Sequence, residues 1–329
     1  MQSLYPPKLR KWDEIRVIAP ARNMNLLSDD TIKRAISRLN KEWFKITFWK
    51  NVYETDIFMS SPVEARIEDL HDAFKDKKVK AIFSVVWWYS SNQMLKYIDY
   101  DLIRNNPKIL CWFSDITTLT VAIYAKTWLV WYSWPHFSSW WIKYGFEYSI
   151  DYFKKCCVYS NPYDIMPSDK RSDDEWYLDQ ENREFIPNDG YKVVNNWYAK
   201  WKIIWWHLPC LVSLLWTEYF PNIDEDIILF LEQDEEFTPQ IFDRHLQQLI
   251  HTKYFKYVKW IVIWRFQKKT NMTDNKLLYI LQTKKELKNI PIIYNVNFWH
   301  TMPFITFPVW GVCELTLQPD EYFIRILEH

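Results

Sequence analysis

The sequence predicts an α/β fold: an N-terminal parallel, doubly wound sheet followed by a smaller α/β domain. Three observations carry this. Apolar runs of four to eight residues alternate with helix-like segments of 10–15 residues through the first half, the signature of parallel strands with crossover helices. Residues 160–195 then turn polar, proline-bearing and aperiodic. Beyond them short apolar runs recur with only two long helical segments between them. The boundaries are 1–158 for the first domain, 159–195 for the connection and 196–329 for the second domain.

The elements follow in order. IRVIAP (15–20) reads as a buried strand, and Ser28-Asp29-Asp30 as the N-cap of a helix running to about Asn40. FKITFW is the second strand. PVEARIEDLHDAFKD is a helix, with apolar residues three and four apart. VKAIFSVV is the third strand, SNQMLKYIDYDLIRNN a helix, and KILCWF a fourth strand feeding the helix DITTLTVAIYAKT. The connection SNPYDIMPSDKRSDDEWYLDQENREFIPNDG leaves room for a short hairpin. KIIWW, DIILFLE, KWIVIWRF, IPIIYNV and VCELTL then read as strands, and PQIFDRHLQQLIHT and DNKLLYILQTKKEL as helices.

Composition limits the function. Lys+Arg and Asp+Glu balance at 41 each, so no net charge draws the chain to nucleic acid or to an anionic membrane. No stretch reaches about 18 uninterrupted apolar residues, and the N-terminus lacks an apolar signal core, so a cytoplasmic chain without a membrane span is expected. The five cysteines (Cys111, Cys156, Cys157, Cys210, Cys313) show no metal-ligand spacing, and their odd number suits no disulfide framework.

One anomaly stands out. The chain has 3 glycines and 21 tryptophans, where average usage implies roughly 23 glycines. The tryptophans sit where glycine belongs. Trp12 lies in the turn before the first strand, and Trp43 and Trp128 follow helical segments at the usual C′ glycine position. Trp87-Trp88 and Trp205-Trp206 each end an apolar run. A natural aromatic binding stripe would instead show helix or strand periodicity, so tryptophan is read as standing in for glycine at most of these sites.

Three polar residues share one address, the carboxyl end of an apolar run, where open α/β sheets bind ligands. Ser114 follows KILCWF, Glu232 ends IILFLE, and His300 follows IPIIYNV in NFWHTMP. A serine hydroxyl becomes a competent nucleophile when an imidazole takes its proton and a carboxylate orients that imidazole. Each residue also has a plainer reading. Ser114 suits a helix N-cap, Glu232 has rivals in Asp234, Glu235 and Glu236, and a single histidine is more often structural than catalytic.

The motifs also carry a resemblance. CWFSDITTL resembles the G-[YF]-S-D-[IL]-T-[AS]-L nucleophile motif of the LD-carboxypeptidase family of serine peptidases, which includes the microcin C self-immunity proteins. KWDEIRVIAPAR resembles the family's opening segment, VVWWYSSNQMLKYIDYDLIRNNPKIL its G-G-Y-x-S-x-x-L-L-x-x-[IL]-D-[YW] segment followed by N-P-K, and WKIIWWHLPCLVSLLWTEYFP its G-x-[IL]-x-G-G-N-L-x-x-L-x-x-x-x-G-T-x-[YF] segment. ILFLEQDEE and NFWHTMP resemble the segments carrying its glutamate and histidine, and YSSNQ leans toward the microcin-immunity branch.

The resemblance implies a flavodoxin-like N-terminal domain, a β-rich C-terminal domain, a homodimer, and no metal or cofactor. It implies Ser114 as nucleophile, His300 as general base, Glu232 as its orienting carboxylate, and backbone N–H groups of Trp88 and Asp115 as the oxyanion hole. The implied substrate is a murein LD-tetrapeptide or a microcin C-type peptidyl or aminoacyl nucleotide. An inactive scaffold of the same fold and an aromatic carbohydrate-binding module are the rival readings. The departures are the tryptophans at family glycines (Trp12, Trp87, Trp88, Trp112, Trp134, Trp205, Trp206, Trp216, Trp299, Trp310), Ala21 for serine, and His207 for asparagine.

Overall fold

The computed structural model describes residues 2–86, 88–112, 114–194, 197–298, 301–318 and 321–329. The chain divides into two compact units. One comprises Met1–Ile142, Phe153–Ser160 and Leu214–Pro221, and the other Lys143–Tyr152, Asn161–Ser213 and Asn222–His329.

The first unit is built on five parallel strands: β1 (Glu14–Ile18), β2 (Lys45–Phe48), β3 (Val79–Ser84), β4 (Ile109–Trp112) and β5 (Trp131–Ser133). Their spatial order is 2-1-3-4-5, the flavodoxin-like arrangement, whose crevice lies where β1 and β3 part at their carboxyl ends. Every residue of β1, β4 and β5 is buried, as expected of parallel strands covered on both faces. The connections are α1 (Asp29–Lys41), α2 (Val63–Lys75), α3 (Tyr100–Asn105) and α4 (Thr117–Thr127). Ser28 caps α1, its hydroxyl accepting from the Thr31 N–H at 3.2 Å.

The helix expected over SNQMLKYIDYDLIRNN is in fact two pieces, a 3-10 segment Ser91–Tyr97 and then α3. The break is local chemistry. The Asp99 side chain accepts from the Leu102 N–H at 2.9 Å and so starts a new helix where periodicity alone continues the old one.

Helix α5 (Glu147–Cys157) crosses the division of the chain. The second unit holds the short strands β6 (Tyr163–Asp164), β7 (Lys170–Arg171), β8 (Ile186–Pro187) and β9 (Lys192–Val193). Its longer strands are β10 (Trp197–His207), β11 (Ile227–Glu232), β12 (Val258–Trp264) and β13 (Ile292–Val296). β14 (Phe307–Val309), β15 (Val312–Gln318) and β16 (Glu321–Glu328) complete it. An eight-stranded sheet runs 6-16-15-10-11-12-13-9. Strands β10 to β13 are mutually parallel, while β15, β16, β6 and β9 join antiparallel. β7 and β8 form the small hairpin that the polar segment allowed. Helices α6 (Leu208–Leu214), α7 (Pro239–Ile250) and α8 (Asp274–Gln282) lie between the strands of this part of the chain.

Among the described residues no helix is long and apolar enough to cross a membrane. None of the five cysteines is joined in a disulfide, and Cys111 Sγ lies 3.9 Å from Cys157 Sγ.

Candidate active site

Strand β4 ends at Trp112, and Ser114–Ile116 form one 3-10 turn before α4. Ser114 is buried and held at φ 59°. A non-glycine residue in the left-handed region costs about 1–3 kcal/mol and persists only where its surroundings over-determine it. This sharpens the sequence reading. The left-handed residue is the serine itself, while Trp112 is an ordinary strand residue. Glycine would matter at 112 for its missing side chain rather than its φ. The Trp112 indole is fully buried and its Nε1 has no hydrogen-bond partner among the described residues, a loss of about 1–3 kcal/mol.

Asp115 is fixed from one side by Ser91. Its carboxylate accepts from the Ser91 N–H at 2.9 Å, and its carbonyl from the Ser91 hydroxyl at 2.8 Å. The backbone around Ser114 is therefore tied to the 3-10 segment that follows β3. Trp88, on the same connection, donates from Nε1 to the Phe58 carbonyl at 2.7 Å, and the Arg22 guanidinium lies 4.1 Å from its ring centre. Trp87 lies outside the described residues.

Sequence reasoning missed Arg66. It is 2% exposed, in the first turn of α2. Its guanidinium donates to the Pro20 carbonyl (3.2 Å), the Ser90 carbonyl (2.9 Å) and Gln93 Oε1 (2.6 Å). These acceptors lie on the loops after β1 and after β3, so one cation ties together the two lips of the crevice. Burial lowers its pKa, opposed by Asp56, Asp115 and Glu64. A signal existed. Arg66 shares the i, i+4, i+7, i+8 stripe with buried Leu70, Ala73 and Phe74, and an arginine on a buried stripe calls for buried acceptors.

In the second unit Glu232 closes β11 and is fully buried. Its register partner on β10 is His207. His207 Nε2 lies 2.9 Å from Asp234 Oδ2 and 3.9 Å from Glu232 Oε1, and its Nδ1 lies 3.1 Å from Cys210 Sγ. Burial opposes charge on His207, but Cys210, Glu232 and Asp234 outweigh it, and the pKa rises well above the ordinary histidine value. The strand end is therefore a compact carboxylate–imidazolium cluster. Reading His207 only as a substituted asparagine missed it. The available signal was the match in position of the two strand ends, HLPC on β10 and EQD on β11.

His300 lies outside the described residues. Its flanks are well tied. Asn297, fully buried, donates to Ser168 Oγ at 2.9 Å, and Met302 exchanges backbone hydrogen bonds with Ser172 at 2.8 and 2.9 Å. Ser114, Asp115 and Trp88 thus belong to the first unit and Glu232 to the second. Among the described residues no group of three or more His, Cys, Asp or Glu side chains is arranged to hold a metal ion.

Comparison with known proteins gives a consistent result. Residues 15–133 match the LD-carboxypeptidase N-terminal domain and residues 207–315 the LD-carboxypeptidase C-terminal domain. A putative carboxypeptidase of Bacillus subtilis, YocD, is 45% identical over 95% of this chain and 96% of its own. The crystal structure of an MccF-like protein from Bacillus anthracis superposes with a TM-score of 0.96 at 44% identity, covering 99% of this chain and 100% of the other. The microcin C7 self-immunity protein MccF of Escherichia coli is a more distant relative, 27% identical over 90% of this chain and 87% of its own. A solved structure of MccF with aspartyl sulfamoyl adenosine shares the fold, with a TM-score of 0.88 at 23% identity and coverage of 99% of each chain.

Proposed function

The chain belongs to the LD-carboxypeptidase family, and from that premise we propose that it is a serine peptidase cleaving an amide bond in a small peptide conjugate. The observation that carries the reading is Ser114, held at φ 59° on the turn between β4 and α4. That turn is where an α/β sheet presents a nucleophile.

Ser114 Oγ attacks the carbonyl carbon while His300 takes its proton. The carbonyl oxygen becomes an oxyanion, accepted by the backbone N–H groups of Asp115 and Trp88. The tetrahedral species collapses to an acyl-enzyme, and the amine leaves with the proton held by His300. Water then gives a proton to His300 and adds to the acyl carbon, and collapse returns that proton to Ser114 Oγ. Glu232 orients His300 throughout and stabilises its imidazolium. No metal or cofactor takes part in this scheme. The substrate is a murein LD-tetrapeptide or a peptidyl or aminoacyl nucleotide of the microcin C type. The second is favoured by the MccF relationship and by the aspartyl sulfamoyl adenosine held in an MccF structure. The acting species is a cytoplasmic homodimer, with domains at 1–158 and 196–329 joined by 159–195.

A second reading has its own observation. The buried indole of Trp112 fills space directly before the nucleophile turn, which favours an inactive scaffold or binding protein. A serine-directed phosphonate separates the two. Covalent modification mapped to Ser114, lost in Ser114→Ala, is the expected result. Folded protein that remains unmodified at Ser114 would overturn the peptidase reading and leave the scaffold.

A further inference from the structure

Among the described residues, nine that are not glycine have positive φ, and five of them are tryptophan: Trp12 (69°), Trp43 (68°), Trp128 (65°), Trp134 (54°) and Trp310 (73°). Two of the chain's three glycines, Gly145 (73°) and Gly190 (77°), occupy the same region. A Cβ makes left-handed backbone costly, and bulky side chains adopt it least of all. Tryptophan here fills the conformational niche of glycine.

At Trp43, Trp128 and Trp310 the backbone hydrogen bonds are those of sites that favour glycine. At the end of α1, the Trp43 N–H donates to the Asn40 carbonyl at 3.0 Å and the Phe44 N–H to the Leu39 carbonyl at 3.1 Å. With Glu42 as C-cap, this is a complete Schellman motif with Trp43 at its left-handed C′ position. At the end of α4, the Trp128 N–H donates to the Tyr124 carbonyl at 2.8 Å, the single-bond left-handed cap. Between β14 and β15, the Trp310 N–H donates to the Ile203 carbonyl at 2.7 Å, and the Ile203 N–H to the Gly311 carbonyl at 2.8 Å. That cross-link leaves the Trp310 backbone little freedom to relax.

At Trp12 and Trp43 side-chain packing does not explain the choice. Trp12 is 63% exposed and Trp43 48% exposed; the two rings meet edge to face, centres 5.3 Å apart, with Lys11 Nζ 4.9 Å from the Trp43 ring centre. A fold that accumulated such replacements one at a time would lose stability at every step. A single event that changes all of them together has no such path to cross. One event of this kind is a change in the meaning of a codon. UGA, a stop signal in the standard code, is one base from the tryptophan codon UGG and one from the glycine codon GGA. A translation system that reads UGA as sense can enter either residue. This also accounts for the near-equal numbers of missing glycines and surplus tryptophans.

We propose that these tryptophans mark a reassigned UGA codon that the gene's own translation machinery reads as glycine, so that the native polypeptide carries glycine at Trp12, Trp43, Trp128, Trp134 and Trp310 and at Trp112, the last residue of β4. Glycine at 112 removes the buried indole and leaves space before Ser114. The proposal rests on backbone geometry and composition and is independent of the reaction assigned to Ser114.

Two measurements test it. Reading the gene at the six positions and mapping peptides of the natively made protein by mass spectrometry should give UGA and glycine at each. UGG codons there, or indole-bearing peptides, would overturn it. Separately, the full-length chain is made with tryptophan and with glycine at the six positions. The glycine form is expected to melt cooperatively at a midpoint higher by on the order of 10–20 °C, since each of the six relieved positions raises Tm by roughly 2–4 °C. An equal or lower midpoint for the glycine form counts against the proposal.

Discussion

At the scale of single residues, the unexpected feature is a histidine held charged beside a candidate catalytic carboxylate. Against burial, Cys210, Glu232 and Asp234 raise the His207 pKa, while burial, Arg244 and then His207 lower that of His245. The sign follows from linkage. A histidine with a raised native pKa contributes stability that is full below its unfolded value of about 6.5 and is lost as pH climbs through the native value. His207→Asn removes the buried cation and leaves two carboxylates facing each other. Breaking a buried pair in this way costs on the order of 3 kcal/mol. The variant is therefore expected to be destabilised most at pH 6, with the gap to the parent closing as pH rises toward and beyond the native pKa. Denaturant melts across that range check it, and a pH-independent gap would show that His207 is neutral in the native protein.

At the scale of elements, α2 holds two functions in one turn. Arg66 fastens the loops after β1 and β3, while the neighbouring Asp69, 2% exposed, accepts from Asn51 Nδ2 at 2.8 Å. Burial raises the Asp69 pKa to about 7, with the Asn51 hydrogen bonds opposing it. A carboxyl whose native pKa is raised contributes stability that is full below its unfolded value of about 3.9 and is lost as pH rises through about 7. Asp69→Asn keeps an acceptor for Asn51 without the buried charge. It should match the parent near pH 4 and exceed it by on the order of 1–3 kcal/mol at pH 8, read by thermal melts at both pH values. Elements of this kind show what sequence can and cannot reveal. The strands β1 to β4 and helices α1, α2 and α4 were legible because continuous apolar runs and 3.6-residue stripes are enforced by burial on two faces or one. The break before α3 was not, because one Asp99 side chain decides it. Strand β16 was passed over although EYFIRILE alternates. Its place is set by pairing with β15, a long-range fact. Ser114 and Glu232 were legible as strand ends. The roles of Arg66 and His207 depend on loops and strands brought together only by folding.

At the scale of the whole molecule, charge balance and surface tryptophan act together. With 41 charges of each sign and a pI near 7.0, self-repulsion is weakest at neutral pH, where colloidal stability is lowest. Trp12, Trp43 and Trp216 are all exposed, Trp216 at 84%, and exposed apolar groups promote association when repulsion is absent. Light scattering at pH 5, 7 and 9 should therefore show concentration-dependent association that is strongest near pH 7 and is strengthened by sulfate, which favours apolar burial. Replacing the three exposed tryptophans by glycine should abolish it. The proposed homodimer behaves differently. A specific interface keeps its mass at all three pH values and in the triple variant, because closed two-fold contacts are not built from scattered surface indoles. Mass that falls to a monomer in the triple variant would remove the dimer from the proposal and assign all association to the tryptophans.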